Sequence, residues 1–306
     1  MVLATGSLQL GLLYGILALG IYISFRILNI PDLTTEGSFT FGLAVSAAVT
    51  AAGHPYAAIA AAILAGALAG SLTGILQTKW MVHPVLAGII TMTGLYSVNL
   101  FVLGGASNLS LVRQDTLFKL TASQLGVSQD AAKTILAILF TVAVTVLLIV
   151  FFKTRTGLAI RAIGDNEEMV RASSIHVEAG KTLAFALANG LVALSGGLVA
   201  QYQGYADVSS GMGLLVVGLA SVIIGEAIIG RRSVTLGFLS AVAGSLLYRF
   251  IIALTTKYSP FPAYMLKLVS AVIVAVALML PAMQFYWERR KIRKEGMKHA
   301  GNETCL

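Results

Sequence analysis

Charge and cysteine are scarce in this sequence. Only 11% of its 306 residues are charged, compared with about 25% in a typical soluble domain, and 57% are hydrophobic. This composition argues against a soluble globular fold. Cys305 is the one cysteine, so the chain cannot form an internal disulfide. The N-terminal apolar run has neither a basic region before it nor a cleavage site after it, and we expect it to be retained as a membrane span.

What the chain has instead is a series of long apolar runs, almost free of charge, of the length that crosses a bilayer. They cover residues 7–25, 38–53, 56–76, 85–103, 132–152, 182–202, 212–230, 234–254 and 263–283. The sequence therefore predicts an all-α polytopic membrane protein with about nine transmembrane helices, within a range of roughly eight to ten. The membrane domain covers 1–283, and a basic cytoplasmic tail covers 284–306. Segment 38–53 is short, so we expect a partial or broken helix there.

Lysine and arginine are unevenly distributed among the predicted connections. With the C-terminal tail in the cytoplasm, nine spans place fifteen of the 21 basic residues inside and six outside. Positive charges collect on the cytoplasmic side because their transfer across the bilayer is costly. The net charge of +8 is then a consequence of topology and not a sign of nucleic-acid binding. We expect the C-terminus inside and the N-terminus outside.

Two interrupted apolar segments are similar to each other at an offset of 175 residues. Residues 12–46 and 187–221 each consist of an apolar helix, a short polar interruption and a second apolar helix. The offset pairs Gly15 with Gly190 and Asp32 with Asp207. By the span count the two copies run in opposite directions, as in the inverted repeats of transporters, whose interrupted segments lie near the substrate path. Chance similarity between helices rich in Ala, Gly and Leu is the alternative.

The polar interruptions contain acidic residues near membrane depth. A charge inside a bilayer is costly, so it normally faces protein or water. Pro31 and Gly37 favour an unwound segment in the first interruption. The residues that would line a translocation path are Asp32, Thr34, Thr35, Glu36 and Ser38, with Asp207, Ser209 and Ser210 in the second interruption. Ordinary interfacial loops are the alternative. For Glu226, near the end of another span, helix packing is the favoured role.

No catalytic or metal-binding pattern emerges. Gly180-Lys181-Thr182 is similar to the end of a phosphate-binding loop, but that motif needs a glycine where this chain has Ile175. The four histidines are scattered, so no metal site is expected. We therefore expect neither enzyme activity nor a cofactor in this chain. A membrane-embedded enzyme lacks a reactive constellation, and a scaffold without transport leaves the polar interruptions unexplained.

A charged island at 153–181 separates the apolar runs on the predicted cytoplasmic side. The stretch Gly164-Asp165-Asn166 predicts a turn with a capping residue, and the two glutamates that follow suit the positive end of a short helix. Met169 and Val170 give this helix an apolar surface. A helix lying on lipid would prefer a basic polar face, so a protein groove is the better partner.

Several stretches resemble a known family. The segment T-R-T-G-L-A-I-R-A-I-G-D-N resembles the membrane permease subunits of ABC importers, a superfamily that includes branched-chain amino acid and ribose permeases. P-D-L-T-T-E-G-S-F at 31–39, G-I-I-T-M-T-G-L-Y at 88–96 and G-L-A-S-V-I-I-G-E-A at 218–227 are similar to a narrower branch containing tryptophan/tyrosine importers. The resemblance implies that the island couples the permease to an ATPase. The coupling residues are then Thr156, Gly157, Arg161, Gly164, Asp165, Asn166, Glu167, Glu168, Met169 and Arg171.

The same resemblance implies the partners. Two permease copies, or two related permeases, would build the path in the bacterial cytoplasmic membrane, and a homodimer is the expected form. Two ATPase subunits would bind below and hold ATP and Mg²⁺, while an extracellular substrate-binding protein would deliver an amino acid, aromatic by resemblance. The main alternative is a secondary transporter driven by an ion gradient, which would need no docking helix. An exporter that uses the same ATPase logic is a further alternative.

Overall fold

The computed structural model describes residues 2–173, 175–230 and 233–258, together with Leu268, Ala271, Val272, Val274, Ala275 and Met279. The chain divides into two compact units, Met1–Tyr258 and Ser259–Leu306. The predicted ninth span at 263–283, apart from those isolated residues, and the basic tail at 284–306 lie outside the described residues. The fold given below is that of the first unit.

Helices make up almost all of the first unit. Helix α1 spans Val2–Tyr22 and continues as a π-helical segment at Ile23–Ile27, called the π-turn below. The other helices are α2 Thr34–Ala51, α3 Pro55–Thr78, α4 Pro84–Val102, α5 Leu117–Leu125, α6 Gln129–Phe151, α7 Arg155–Asp165, α8 Glu167–Ala172, α9 Val177–Gln203, α10 Leu214–Ile229 and α11 Val234–Tyr258. Strands β1 Asn108–Ser110 and β2 Tyr205–Asp207 pair antiparallel, and a 3₁₀ turn follows at Val208–Gly211.

The long helices run between two ends of the bundle. We call the end that carries β1, β2 and α5 the β end, and the end that carries α7 and α8 the α7 end. At the β end, Tyr202 of α9 donates its hydroxyl to Gln9 Oε1 of α1 over 2.9 Å. At the α7 end, Arg26 of the π-turn pairs with Glu226 of α10. The α7 end also carries the described basic residues that the sequence predicts to be inside, namely Arg26, Lys79, Lys153, Arg155, Arg161, Arg171 and Lys181.

Seven helices in the described part of the chain are long and apolar enough to cross a bilayer. They are Ala4–Ile27, Pro55–Thr78, Pro84–Val102, Gln129–Phe151, Val177–Gln203, Val208–Ile229 and Val234–Lys257. The protein is therefore a polytopic all-α membrane protein, which confirms the fold class expected from the sequence. Helix α2, with 18 residues, is outside the seven because Thr, Ser and Glu side chains lower its hydropathy. The predicted figure of nine is not established by the described residues.

The first polar interruption is shorter than the sequence predicts. Only residues 28–33 lie outside helices, because α2 already begins at Thr34. Asp32 Oδ1 accepts the N–H of Thr34 over 2.9 Å, so it binds one of the backbone donors that a helix start leaves unpaired. This bond lets the helix begin at Thr34, two positions after Asp32. The expectation of an unwound segment is therefore wrong for Thr34, Thr35, Glu36 and Ser38, which are helical.

The contacts favour a true internal repeat over chance similarity. Helices α1, α2 and α3 correspond to α9, α10 and α11, and α1 and α9 begin at residues 2 and 177. Gly15 of α1 packs against Val242 of α11. At an offset of 175 residues from each, Gly190 of α9 packs against Ala67 of α3. Since α1 starts at the β end and α9 finishes there, the two copies are inverted.

Glycines bring the central helices into backbone contact. At Gly42 of α2, and at Gly66 and Gly70 of α3, an added Cβ would overlap backbone atoms of α9. Small residues permit this approach, which membrane helices use in place of a hydrophobic driving force. We call these three positions the glycine seam. The seam joins α2 and α3 to α9, and the polar interruptions lie beside this joined group.

Candidate functional site

Asp32 lies in a buried polar contact next to the seam. It is 1% exposed. Its Oδ2 accepts a hydrogen bond from Asn189 Nδ2 of α9 over 2.7 Å, and the same nitrogen donates to Phe185 O over 3.1 Å. A buried carboxylate is tolerated only when such donors replace water. Asp32 therefore ties the start of α2 to the middle of α9 and faces protein, while its role in a path stays a prediction.

Threonine hydroxyls extend this polar contact across three helices. Thr34 and Thr73 lie 2.8 Å apart at their Oγ1 atoms, and Thr73 donates to Thr91 Oγ1 over 3.0 Å. These bonds connect α2, α3 and α4. Thr35 and Ser38 are also buried. The structure thus brings Asp32, Thr34, Thr35 and Ser38 together between helices, and none of them opens onto the cavity described next.

Glu36 marks the point where the two polar interruptions meet. Its Oε1 accepts the N–H of Gly213 over 3.0 Å. Gly213 has φ 83° and precedes α10, so the carboxylate binds a donor at the start of that helix. Gly211 approaches the carbonyl of Glu36 and the hydroxyl of Thr40 so closely that a side chain there would overlap both. The repeat pairs the interruptions in sequence, and the structure places them in contact.

A cavity of about 250 Å³ opens beside this junction. Its wall consists of Glu36, Gly37 and Thr40 of α2, Met92, Thr93, Tyr96 and Asn99 of α4, and Val208, Gly211 and Met212 of the second interruption. Glu36 is the one charged residue among the described residues of this wall, and the remaining surface is mainly apolar. Such a lining suits a small solute with an apolar body and a positive group.

The α4 side of this cavity is not singled out by the sequence analysis. Met92, Tyr96 and Asn99 follow each other at spacings of four and three residues, so they lie on one helix face. The spacing is visible in the sequence, but a helix that is apolar all round gives no sign of which face meets α2. Of the predicted path residues, only Glu36 lines the cavity.

Asp207 has a local role at the β end. Its Oδ1 accepts the N–H of Ser209 over 2.7 Å and also the Ser209 hydroxyl, which starts the 3₁₀ turn. Across the small sheet Asp207 pairs with Asn108. Ser210 is half-buried in the same turn. These three predicted path residues therefore shape the second interruption, while their neighbours line the cavity.

The charged island forms two helices where the sequence predicts one. Thr154 Oγ1 accepts the N–H of Gly157 over 3.3 Å and caps α7, which the sequence analysis misses. Gly164, predicted in a turn, lies inside this helix. The signal was present, because Ile160 and Ile163 repeat at helical spacing on its buried face. Asn166 caps α8 as predicted, its Oδ1 accepting the N–H of Met169 over 3.0 Å.

The predicted coupling residues form a mixed surface at the α7 end. Met169 is 66% exposed, whereas Val170 is 3% exposed and packs into the core. The other exposed residues of the predicted set are Thr156, Asp165, Asn166, Glu168 and Arg171, and the half-buried ones are Arg161, Gly164 and Glu167. Gly157 is buried against the end of α6. An exposed methionine among charged residues is typical of a protein contact.

Ion pairs hold α8 against the start of α9. Lys181 Nζ lies 2.6 Å from Glu167 Oε2, and Arg171 lies 3.2 Å from Glu167 and 3.6 Å from Glu178. The hydrogen bond from Lys181 lowers the pKa of Glu167 below its ordinary value of 4.5. Glu167 is therefore charged at neutral pH, and the surface around Met169 is held in place.

The π-turn directs Arg26 to Glu226, whose side chain is 5% exposed. This ion pair fastens the end of α1 to the end of α10, in line with the packing role favoured for Glu226. Among the described residues, no group of three or more His, Cys, Asp or Glu side chains lies close enough to hold a metal ion.

Two comparisons with known proteins point to transport permeases. Residues 3–278 match a family model described as branched-chain amino acid transport system / permease component. Over 268 residues the chain is 35% identical to a tyrosine transport system permease protein of Clostridioides difficile (strain R20291), covering 87% of each chain. Over 212 residues it is 31% identical to an uncharacterized protein of Rickettsia prowazekii (strain Madrid E), covering 69% of this chain and 72% of that one. No solved structure matches the chain.

Proposed function

Because the chain belongs to the family of branched-chain amino acid transport permease components, we propose that it is the membrane subunit of an ATP-driven amino acid importer. Family membership confirms the resemblance seen in the sequence and the role in membrane transport. The observation that carries the ATP-driven mechanism is the α7–α8 surface, where exposed Met169 lies beside the ion pairs that hold α8 against α9. This surface fits a groove on a separate ATPase.

We also propose the partners that complete the transporter. Two copies of the chain, as a homodimer, enclose the path in the bacterial cytoplasmic membrane. The α7 end faces the cytoplasm and two ATPase subunits, which hold ATP and Mg²⁺ so that this chain needs no cofactor. The β end faces outward and receives a substrate-binding protein. The N-terminus is then outside and the C-terminal tail inside. The described basic residues of the α7 end support this orientation.

An aromatic amino acid is the proposed solute. The relative from Clostridioides difficile is named for tyrosine transport. In the cavity, the Glu36 carboxylate can accept an ammonium group, while Met92, Tyr96 and Met212 surround an apolar or aromatic body. The hydroxyl of Tyr96 in the same wall can donate a hydrogen bond to a carboxylate, whereas that of Thr93 already donates to Ile89 O over 2.8 Å.

ATP hydrolysis by the purified complex in lipid tests the proposal. The chain is combined with the ATPase encoded beside its gene, and the neighbouring substrate-binding protein is added with L-tyrosine. We expect no hydrolysis by the chain alone and faster hydrolysis by the complex when the loaded binding protein is present. If no ATPase associates with the chain, a secondary transporter driven by an ion gradient becomes the favoured function.

Met169→Asp tests the docking surface within the same assay. A charge at the centre of an apolar contact is costly, so we expect the variant to lose co-purification of the ATPase by about ten-fold. Val112→Asp is the matched control, because Val112 is 72% exposed at the β end. Equal ATPase binding by the two variants would contradict docking at α8.

A further inference from the structure

Two segments that lie between the repeat copies each hold one polar interruption. At the β end, the segment containing β1 binds the second interruption. Ser107 O accepts the N–H of Val208 over 3.0 Å, and Gly204 O accepts the N–H of Leu111 over 2.8 Å. Together with the β1–β2 pairing, these backbone bonds fix residues 204–208 to the β-end surface.

At the α7 end, α7 holds the first interruption. Gly164 packs on the backbone of Ile27 and Leu28 so closely that a Cβ on Gly164 would overlap the Ile27 carbonyl. Asn29 Nδ2 donates to Gly164 O over 3.0 Å. Asn29 itself has φ 55°, a left-handed conformation that asparagine tolerates better than most residues. The chain leaves the π-turn here and reaches Asp32 three residues later.

The two interruptions meet inside the bundle. Glu36 Oε1 accepts the N–H of Gly213, and Gly211 packs on Glu36 and Thr40. Helix α10 is thereby attached at both ends, at its start to Glu36 and near its finish to Arg26. A continuous set of backbone and polar contacts therefore runs from β1 through residues 204–213, Glu36 and Asp32 to α7.

We infer that this set of contacts is a relay that transmits displacement between the two ends of the permease, with Asn29 and Glu36 as its positioning residues. The biological role of this relay rests on the proposed function, in which the β end would contact the binding protein and α7 would contact the ATPase. Coupling over such a distance requires contiguous packed or hydrogen-bonded groups that both ends can bias. Residues 28–36 and 204–213 supply them.

Hydrogen–deuterium exchange of the full chain in lipid nanodiscs tests the relay without any partner. Gly164→Ala pushes α7 away from Leu28, and we expect faster amide exchange at residues 205–213 as well as at 27–33. Gly94→Ala is the matched control, because a Cβ at Gly94 meets nothing within 4 Å. Asn29→Gly is the milder second variant, since it removes the side-chain donor and keeps the backbone conformation.

Variants of Glu36 test the contact between the two polar interruptions. Glu36→Ala removes the acceptor of the Gly213 N–H, so the effect of Gly164→Ala should no longer reach residues 205–213. Glu36→Gln keeps an acceptor oxygen there and should restore the transmission. Exchange changes confined to residues 27–33 and α7 in both Gly164→Ala and Asn29→Gly would overturn the relay.

The outcome is independent of the ATPase assay. Transmission without an associated ATPase supports the relay and contradicts the importer. Substrate-stimulated hydrolysis with exchange changes confined to the α7 end supports the importer and contradicts the relay.

Discussion

Asp32 and Glu36 differ in what their carboxylates face, although they are only four positions apart in the sequence. Asp32 is enclosed by Asn189 and the start of α2, whereas Glu36 is half-buried and lines the cavity. Asp32 thus has the contacts of a residue that positions helices. Glu36 has those of a residue that can also contact a solute.

Glu36→Gln should weaken uptake of L-tyrosine while leaving assembly with the ATPase unchanged. A hydrogen bond to a charged group contributes about 1.5–3 kcal/mol, so we expect KM to rise by at least about ten-fold. Radiolabelled uptake into proteoliposomes measures the change. Asp207→Asn serves as control, since Asp207 caps a turn outside the cavity wall. An unchanged KM for Glu36→Gln would remove the carboxylate from substrate binding.

For single residues, the sequence shows which residue types are unusual in their surroundings, but it does not show which partners they contact. Asp32 and Glu36 stand out because acids are rare in apolar surroundings. Their partners Asn189 and Gly213 are 157 and 177 residues away, and nothing local predicts either contact. Tyr96 and Met92 are similarly undetectable, because aromatic and apolar residues are ordinary in a membrane helix.

Helix α8 has six residues and depends on its surroundings for stability. An isolated helix of this length does not form in water. Its Asn166 cap, the buried Val170 and the ion pair between Glu167 and Lys181 fix it to the bundle. The element that we propose to contact the ATPase is therefore only as rigid as these few contacts.

Glu167→Gln should loosen α8 and expose the peptide bond after Arg171 to trypsin. We expect cleavage there to increase by about three-fold or more, because an exposed ion-pair network stabilises only modestly. Glu168→Gln is the matched control, since none of the ion pairs found among the described residues includes Glu168. Equal cleavage in both variants would contradict the role of Glu167.

The ion pair between Glu167 and Lys181, which holds α8 against α9, has a defined pH dependence. The pKa of Glu167 is lowered in the folded protein, so its contribution is fully present above the ordinary value of 4.5 and is lost as pH falls below it. Between pH 6 and pH 8 the hold on α8 should therefore be constant.

Among the elements, boundaries defined by capping residues are the easiest to predict. Asn166 marks the start of α8 in the sequence and in the structure. The beginning of α2 is predicted incorrectly, because Pro31 and Gly37 suggest unwinding while Asp32 binds the helix start. The π-turn is not predicted by the sequence analysis, and its Arg26 pairs with Glu226, a residue 200 positions away in the chain.

At the scale of the whole molecule, the glycine seam determines how closely α2 and α3 pack against α9. Gly70→Ala places a methyl group against the Phe185 carbonyl, and overpacking of this kind costs about 1–3 kcal/mol. We expect a lower midpoint in SDS or thermal unfolding of the purified chain. Gly94→Ala again provides the control, because its surroundings are open. If Gly70→Ala unfolds at the same midpoint as Gly94→Ala, the seam contributes nothing to stability.

The sequence predicts the overall architecture better than it predicts the candidate site. Apolar runs give the membrane class, and the offset of 175 residues gives the inverted repeat, because both depend on order along the chain. The seam depends on which glycines face each other. Since 31 glycines are spread through the chain, position alone does not select Gly42, Gly66 and Gly70.

The glycine seam also limits how fast this protein can change its conformation. Helices whose backbones touch cannot slide without losing close contacts, so we expect α2, α3 and α9 to move as one rigid body. Rotation of α1 and α10 relative to this body must bend the short joints at 28–33 and 204–213 and strain the contacts that hold them, and hinge motions of packed bodies take about microseconds to milliseconds. Both joints should therefore share a single slow exchange process, measurable by NMR relaxation dispersion, which would set an upper limit on the rate of each transport cycle.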